Sequence, residues 1–326
     1  MTAQDGVAAA VRPLELSDDI RTRIAGALPW SPLDFIKGIA KSGDRQVLAS
    51  SVARSLDPRD DLRFAHALPS GADVAVCAER LPWDSAFFGY DVARLHGVFP
   101  LAAGAYDADA DYTAVLRALL ALAGARGVRY LFAVIDAREL PTIRALTALG
   151  FALIETRLYY HLALRRYEYP RRFQCRLATT ADVDTLASLA RTTANPYDRF
   201  NADPFIGREA AVRLVDRWIR ASVAEGWADA TFVPDSPRPN ALCTVKYHDD
   251  RKPAWGLSIA QLVLAMGETA GSRFLGVIAE TTYHLKARGA DHVFFTTQLP
   301  NHPLIRVAEH LGFTLGRGEH VFRILL

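Results

Sequence analysis

Apolar runs of strand length alternate with amphipathic stretches of helix length along most of the chain. Apolar runs of about four to eight residues between turn residues are typical of buried strands. In the second half such runs are separated by helices, which predicts an α/β unit. Its predicted strands are 173–178, 230–233, 241–247, 255–266 and 292–297, with two short strands from residue 313 onward. One predicted helix begins at Thr180, and three others span 204–225, 271–288 and 301–311.

The first half carries the same succession between residues 72 and 164. Strands are predicted at 72–81, 93–101, 128–135, 151–154 and 158–164, and helices at 109–126 and 136–149. Segment 165–172 is predicted to be a linker. Residues 1–70 are predicted to form an N-terminal helical extension, with Ser17 and Ser31 as candidate helix caps.

An internal repeat is the strongest organisational signal in the chain. Segments 125–164 and 287–326 have equal length and share Ala-Arg-Gly, a proline, Ile-Arg and Leu-Gly-Phe in register. This coincidence disfavours two unrelated strand–helix units that share only cap glycines. We therefore predict an α/β fold (α+β, with a mixed sheet) built from two tandem units. The first, at 71–168, is predicted to be truncated, and the second, at 169–326, to be complete.

Composition restricts the class of protein without choosing a function. Hydrophobic residues make up 50% of the chain and charged residues 23%, which is typical of a globular enzyme. The net charge of +2 gives no overall attraction to nucleic acid or to an acidic membrane. The N-terminus lacks a signal-peptide pattern, and no apolar stretch reaches the roughly 20 residues of a membrane span. These features predict a cytoplasmic protein with no membrane partner.

The cysteines do not indicate a metal site. Cys77, Cys175 and Cys243 lie far apart, with no CxxC pair and no histidine at metal-ligand spacing. Each lies in or beside an apolar run, which favours buried, reduced thiols over nucleophiles.

Several segments resemble the GNAT superfamily of acyl-CoA N-acyltransferases. TTQLPNHPLIRVAEHLGF at 296–313 looks like that family's strand five and helix four. LPWDSAFFGYDVARL at 81–95 is similar to the opening of TDP-fucosamine acetyltransferase-like proteins, which place a truncated unit before a complete one. DRFNADPF at 198–205, with RWI at 217–219 in the next helix, fits their acceptor-side helices. The resemblance covers residues 73–326 and implies two tandem GNAT-like units.

The resemblance implies an N-acyltransferase that moves an acetyl or other acyl group from acyl-CoA to a primary amine by direct attack in a ternary complex. The implied acceptor is a nucleotide-linked amino sugar, with a natural-product amine or an amino acid as close alternatives. Two other functions stay open. One is a GNAT-fold binding module, and the other is a transferase whose donor is an acyl carrier protein or an aminoacyl-tRNA. Only the tRNA donor would involve a nucleic acid. A homodimer also stays open.

The implied donor site lies along one predicted strand and the helix start that follows it. The backbone of 259–266 would pair with the pantetheine arm, and the loop from residue 267 would hold the diphosphate at a helix N-terminus. The implied cofactor-binding residues are Leu264, Ala265, Met266, Gly271, Ser272, Arg273, Phe274 and Asn301. The family's glycine pattern is clearly kept only at Gly271. An ordinary central strand and plain helix caps explain the same residues.

The family's helix-four tyrosine, which protonates the leaving thiolate, corresponds here to Ala308. Alanine cannot donate a proton, so other groups become candidates. The catalytic candidates are His302, Glu268 and Tyr247. The resemblance implies an acceptor site formed by Trp83, Asp84, Arg199 and Asp203. Rings, a guanidinium and carboxylates together suit a nucleotide-linked ammonium, although packing is an alternative role for these residues.

Overall fold

The computed structural model describes residues 11–14, 17–55, 62–68, 71–102, 112–193, 195–267 and 273–326. Contacts between residues divide the chain into two compact units. Unit 1 contains the described residues up to Thr156 together with Gly318–Leu326, and unit 2 contains Arg157–Arg317. The predicted linker at 165–172 therefore lies inside unit 2, and the last residues of the chain belong to unit 1.

Unit 1 is a mixed sheet with helices on both faces. Its elements are β1 (Val11–Pro13), α1 (Asp18–Ala27), α2 (Lys41–Ser55), β2 (Arg63–Ala67), β3 (Asp73–Arg80), α3 (Pro82–Phe88), β4 (Val92–Pro100), α4 (Thr113–Ala125), β5 (Tyr130–Asp136), α5 (Leu140–Ala148) and the first residues of β6 (Ala152–Ala163). The strand order is β1-β2-β3-β4-β5, in which β4 and β5 run parallel and the other neighbours antiparallel. Residues 319–325 form an antiparallel strand on the other side of β5.

The N-terminal region supplies part of this sheet, which corrects the prediction of a purely helical extension over 1–70. β1 pairs with β2, and β2 pairs with β3. α1 and α2 pack Ile24 and Val52 against the sheet face that carries Cys77. These strands are short and β1 contains a proline, so they leave little period-two pattern in the sequence. The truncation predicted for the first unit is therefore not confirmed.

Unit 2 repeats this order of elements. It contains β7 (Cys175–Leu177), α6 (Val183–Thr192), α7 (Arg199–Ala202), α8 (Arg208–Ala224), β8 (Ala230–Pro234), β9 (Ala241–Tyr247), α9 (Lys252–Trp255), β10 (Ile259–Gly267), α10 (Arg273–Ala287), β11 (His292–Gln298), α11 (His302–His310) and the first residues of β12 (Thr314–Leu325). The strand order is β7-β8-β9-β10-β11, with β10 and β11 parallel. Residues 157–163 of β6 lie antiparallel beside β11.

The sheet of unit 2 has a separate apolar core on each face. α10 and α11 bury one face, where Leu262 and Phe295 pack together with Ile278. α6 and α8 bury the other face, where Leu242 and Met266 lie among their side chains. Side chains that alternate along a strand point to opposite faces, so β10 contributes to both cores.

The two repeats exchange their final strands. The sequence predicts a pair of short strands at each position, 151–154 with 158–164 and two more after residue 313, but the structure contains one continuous strand in each place. The second half of β6 pairs with β11 of unit 2, and the end of β12 pairs with β5 of unit 1.

A buried carboxylate fixes the start of α6 and makes the stability of unit 2 depend on pH. Asp182 accepts hydrogen bonds from Arg176 Nη1 at 2.7 Å and Nη2 at 2.9 Å, and from the Thr179 amide at 2.8 Å. Its residue is 5% exposed. The hydrogen bonds from Arg176, followed by those from Thr179, hold the pKa of Asp182 well below its usual range.

We expect Asp182→Asn to lower the free energy of unfolding by about 2 kcal/mol at pH 7. Because the folded-state pKa is depressed, this stabilisation is complete above the unfolded-state pKa of about 3.9 and is lost as the pH falls toward the folded-state value. Urea denaturation of both proteins between neutral and strongly acidic pH measures the difference, which should shrink with acidification. Asp184→Asn, at a highly exposed surface ion pair, is the control with little effect. A difference independent of pH would contradict the assignment.

Candidate functional site

β10 and β11 pair only over their first halves. The parallel register runs from Ile259↔His292 to Leu262↔Phe295. On its other side β10 contains a bulge, because its register with β9 shifts between Leu262 and Ala265. Such a bulge bends a strand and increases its twist. The second half of β10 therefore leaves the ladder with β11.

A cleft opens where the described ladder between β10 and β11 ends. Its water-accessible volume is about 20 Å³, within about 320 Å³ of space that includes open solvent. The lining side chains come from both strands and from the two helices on one face of the sheet. They are Leu262, Val263, Ala265, Ile278, Phe295, Thr296, Leu304 and Ala308. We call this space the β10–β11 cleft, and its lining is apolar except for Thr296.

The cleft suits an extended chain that carries amide groups. Residues 263–267 have no partner on β11 within the described ladder, so backbone groups on that edge are available to a ligand. An extended ligand with alternating N–H and C=O groups can pair with such an edge as an added strand does. The apolar walls favour a slender aliphatic body.

Of the three β10 residues predicted to bind a cofactor, Ala265 lines the cleft. Leu264 and Met266 pack toward the core formed with α6 and α8. The Leu264 amide donates to Thr244 Oγ1 at 2.9 Å, which fixes the bulge against β9. Of these three residues, only Ala265 presents its side chain to the cleft, and the predictions for Leu264 and Met266 concern their backbone.

The predicted diphosphate loop is described only at its two ends. Glu268, Gly271 and Ser272 lie outside the described residues. α10 begins at Arg273, whose exposed side chain donates from Nη1 to Asn240 Oδ1 at 3.4 Å. Phe274 packs into the core of unit 2, close to Gly267. The first turn of α10 thus directs a cation outward and an aromatic ring inward.

Asn301, His302 and Tyr247 lie outside the lining of the cleft. Asn301 precedes α11 and donates from Nδ2 to Thr297 Oγ1 at 3.0 Å. His302 is exposed on the first turn of α11. The Tyr247 hydroxyl is hydrogen-bonded to His284 Nε2 at 3.0 Å, near the end of α10. Burial raises the pKa of Tyr247 and lowers that of His284, so both are neutral at pH 7.

The predicted acceptor residues divide between the units. In unit 1, Trp83 is 37% exposed and stacks on Phe87 at 5.4 Å, while Asp84 lies in the first turn of the same helix, α3. In unit 2, the Arg199 guanidinium lies 4.2 Å from the centre of the Phe200 ring.

Asp203 is fully buried, and its Oδ1 accepts from the Phe205 amide at 3.0 Å. The carboxylate therefore holds the turn after α7. This burial is the physical reason against its predicted contact with an ammonium group.

Sequence reasoning missed Val263, Thr296 and Leu304. Val263 lies at the bulge and is 55% exposed. A bulge in an apolar strand has no side-chain signature here, because its neighbours are also aliphatic. Thr296 was available as a signal, since it is a polar residue within an apolar run.

Unit 1 has the same strand geometry, but its corresponding positions are filled. β4 and β5 pair in parallel from Val92 to Leu95, and β4 shifts register against β3 between Cys77 and Ala78. The residues that correspond to Ala265, Leu304 and Ala308 are Val98, Thr142 and Leu146, which are 3%, 0% and 0% exposed.

At the bulge of β4, His96 Nε2 lies 2.7 Å from Glu79 Oε1, and both side chains are nearly buried. Burial lowers the pKa of His96. Larger side chains and this polar pair thus occupy the region that is open in unit 2.

Other kinds of site are not indicated in the described residues. Burial raises the pKa of Cys77 and Cys243 to about 12 and that of Cys175 to about 11, so none is a thiolate at pH 7. The described ranges contain no group of three or more His, Cys, Asp or Glu side chains placed to hold a metal ion. None of their helices combines the length and apolar character needed to cross a membrane.

Comparison with known proteins supports the architecture. No protein-family model and no curated protein matches the chain. A GCN5-related N-acetyltransferase from Sphaerobacter thermophilus superposes with a TM-score of 0.57 at 10% identity, covering 97% of this chain and 95% of its own. A candidate acetyltransferase from Pyrococcus horikoshii gives 0.51 at 12% identity, covering 97% and 89%. A functionally unknown conserved protein from Staphylococcus epidermidis gives 0.50 at 10% identity, covering 76% and 90%. The chain therefore has the mixed α/β GNAT fold that the sequence predicted.

Proposed function

We propose that unit 2 is an N-acyltransferase that moves an acetyl or other acyl group from acyl-CoA to a primary amine. The observation that carries the proposal is the β10–β11 cleft, where a parallel ladder ends beside a bulge and leaves an apolar slot bounded by one strand edge. Unit 1 is proposed to be structural, because Val98 and Leu146 fill the corresponding positions.

The residues at the cleft fit the chemical parts of acyl-CoA. The edge of β10 after Leu262 can pair with the two amides of a pantetheine arm. Ala265 and Ala308 leave room for its aliphatic segments between the strands and α11. At the start of α10, the positive end of the helix dipole and the exposed Arg273 favour phosphate groups.

When bound, acyl-CoA would supply a thioester as the activated acyl group. The chain's own contribution is to hold the arm along β10, to keep water out of the apolar walls and to leave the amine neutral. A neutral amine is required because its lone pair attacks the carbonyl carbon. Apolar surroundings favour the neutral form, because desolvation destabilises an ammonium ion.

Protonation of the leaving thiolate is not assigned to Ala308. Tyr160, in the same core as Ala308, donates to Glu309 Oε1 at 3.1 Å, and burial raises its pKa. His302 is exposed at the start of α11 and lies outside the lining of the cleft, so this role is assigned to none of the described residues. We expect transfer to tolerate an unassisted thiolate, which is a good leaving group compared with an alkoxide.

A donor carried by an acyl carrier protein is the second candidate function. It is favoured by the cationic segment beside α10, where Arg165, Arg166 and Arg171 are exposed. Arg172 in the same segment forms a bidentate pair with Glu280 of α10, at 2.8 and 2.7 Å. A carrier protein would present the same pantetheine arm without the adenine nucleotide.

Isothermal calorimetry with acetyl-CoA, CoA and acetyl-pantetheine tests the donor site. We expect Arg273→Glu to raise the Kd for acetyl-CoA by at least about tenfold, since a charge-assisted contact is replaced by repulsion. Acetyl-pantetheine, which lacks the nucleotide, should bind both proteins equally. Arg213→Glu, at an exposed arginine of α8, is the matched control. Equal Kd values for all three proteins with acetyl-CoA would refute the placement of the phosphates.

Mass spectrometry of products from a panel of primary amines then tests the transfer. The expected result is an amide whose formation depends on the acyl thioester. No amide with any amine, combined with measurable donor binding, would leave a binding module and refute the transferase.

A further inference from the structure

Three of the large apolar side chains that are exposed in unit 2 lie on the strands that border the β10–β11 cleft or on segments joined to the ends of those strands. Val263 lies at the bulge and is 55% exposed, Leu299 directly follows β11 and is 50% exposed, and Tyr197 is 46% exposed. We call these three residues the apolar rim. Of the three, Val263 also lines the cleft and so connects the rim to the proposed acyl-transfer site.

One polar contact brings the loop that carries Tyr197 to the end of β11. Asn195 Nδ2 donates to Gln298 Oε1, and Asn195 Oδ1 accepts from the Tyr197 amide at 3.0 Å. Gln298 lies two residues beyond Thr296, which lines the cleft, and one residue before Leu299. Side chains two residues apart on a strand share a face, so Gln298 and Thr296 point to the same side of the sheet.

The carboxylates of this loop are used within it. Asp198 Oδ1 accepts from the amides of Phe200 and Asn201, both at 2.9 Å, and its Oδ2 accepts from Asn201 Nδ2. Asp203 is fully buried in the following turn. Both carboxylates therefore hold the loop, and the large exposed side chains beside it are apolar.

We propose that the apolar rim holds the body of the acceptor and selects primary amines that carry an aliphatic or aromatic substituent over anionic, nucleotide-linked ones. This inference rests on the proposed acyl transfer and names its acceptor class. Contact with Val263, Leu299 and Tyr197 removes the amine's substituent from water, and the stabilisation grows with the apolar area covered. The same apolar surroundings favour the neutral amine that the reaction needs.

The reaction at the rim transfers the acyl group from sulfur to nitrogen. The amine nitrogen forms a bond to the carbonyl carbon, and the bond from that carbon to sulfur breaks. The nitrogen loses one proton and the thiolate gains one, so the products are an amide and a thiol.

An alkylamine series tests the selectivity. With acetyl-CoA as donor, kcat/KM should rise by about fourfold for each methylene from ethylamine to hexylamine, as expected for burial of a CH₂ group. 6-Aminohexanoate has a carboxylate in place of hexylamine's terminal methyl group, and its kcat/KM should be at least about tenfold lower, because apolar surroundings disfavour a charge. A flat dependence on chain length, or a preference for aminohexanoate, would overturn the proposal.

Variants locate the effect at the rim. In Leu299→Ser and in Tyr197→Ser, the factor by which kcat/KM rises per methylene should fall toward one. The KM for hexylamine should rise, while the Kd for acetyl-CoA stays at the wild-type value. The matched control is Leu177→Ser on β7, because Leu177 is 53% exposed and lies on another strand. It should keep the full factor per methylene. An unchanged factor in both rim variants would overturn the proposal.

The outcomes separate this inference from the proposed function. Absence of any amide together with absence of donor binding would refute the proposed function itself. Amide formation without dependence on the rim would refute only the acceptor class. Analytical ultracentrifugation of wild type and Leu299→Ser measures whether the rim contributes to a dimer. If the variant dissociates a dimer without changing amine selectivity, the rim contacts a second copy of the chain, and the acceptor proposal is wrong.

Discussion

Replacing Ala308 with leucine should abolish donor binding to unit 2 and lower kcat/KM by at least about 100-fold. Ala308 is 1% exposed and lines the β10–β11 cleft from α11. Leucine replaces the methyl side chain of alanine with a larger isobutyl group, which would extend into the cleft. Forcing ligand and side chain into the same space costs about 3 kcal/mol or more, which corresponds to a factor of at least about 100. Leu146 occupies the corresponding position of unit 1.

Calorimetry with acetyl-CoA and a thermal melt together measure this prediction. The melting temperature should fall less than in a variant overpacked in a closed core, because part of the added side chain can enter the opening. Ala187→Leu is the matched control, since Ala187 is 1% exposed in α6 and packs in the other core of unit 2. The control should lose stability by about 1–3 kcal/mol from overpacking while it keeps donor binding. Normal donor affinity in Ala308→Leu would show that the ligand does not enter between β10 and β11.

The parts of the fold that follow from local pattern were predictable from the sequence. Both repeats show a strand, a helix and a glycine that ends the helix. Gly150 and Gly312 have φ angles of 80° and 88°, a left-handed conformation that favours glycine. Ser17 also caps α1 as predicted, by accepting from the Ile20 amide at 3.2 Å. Ser31 begins no helix, and α2 starts only at Lys41.

The parts of the fold that depend on long-range pairing were not predictable. The exchange of final strands between the units leaves no local trace, because β6 and β12 carry similar apolar patterns. The strands β1 and β2 are three and five residues long. Strands of this length become recognisable only through their partners, and the sequence contains no information about which segments lie side by side.

The candidate site also has parts that were predictable from the sequence and parts that were not. The resemblance pointed to β10 as the strand that binds the donor, and the structure places Ala265 of β10 in the lining of the cleft. It could not locate the bulge, which depends on how β10 pairs with β9 and which exposes Val263. It also gave Tyr247 a catalytic role because of its position in the sequence, whereas the structure places the hydroxyl at His284. The corresponding positions are filled in unit 1 and open in unit 2, and this contrast can be recognised only from the burial of their side chains in the structure.

Leu146→Ala should destabilise unit 1 by about 3 kcal/mol, because it deletes a fully buried side chain from a close-packed core. The loss is smaller where a cleft is already open, so Leu304→Ala, beside the β10–β11 cleft, is the matched control with an expected loss of about 1 kcal/mol. Urea denaturation, with hydrogen exchange of the α5 amides to identify the unit, measures both.

Leu146→Ala also tests whether the large side chains at these positions of unit 1 serve stability alone. The cavity left by Leu146→Ala should not bind acetyl-CoA, because Val98 and the buried His96–Glu79 pair still occupy the opening between β4 and β5. The measurement is made in the Ala308→Leu background, where unit 2 should contribute no binding. Heat of binding in this double variant would mean that unit 1 is a second donor site closed by one side chain. Absence of heat, with stability lost as expected, would support a division in which one unit is packed for stability and the other is open for chemistry.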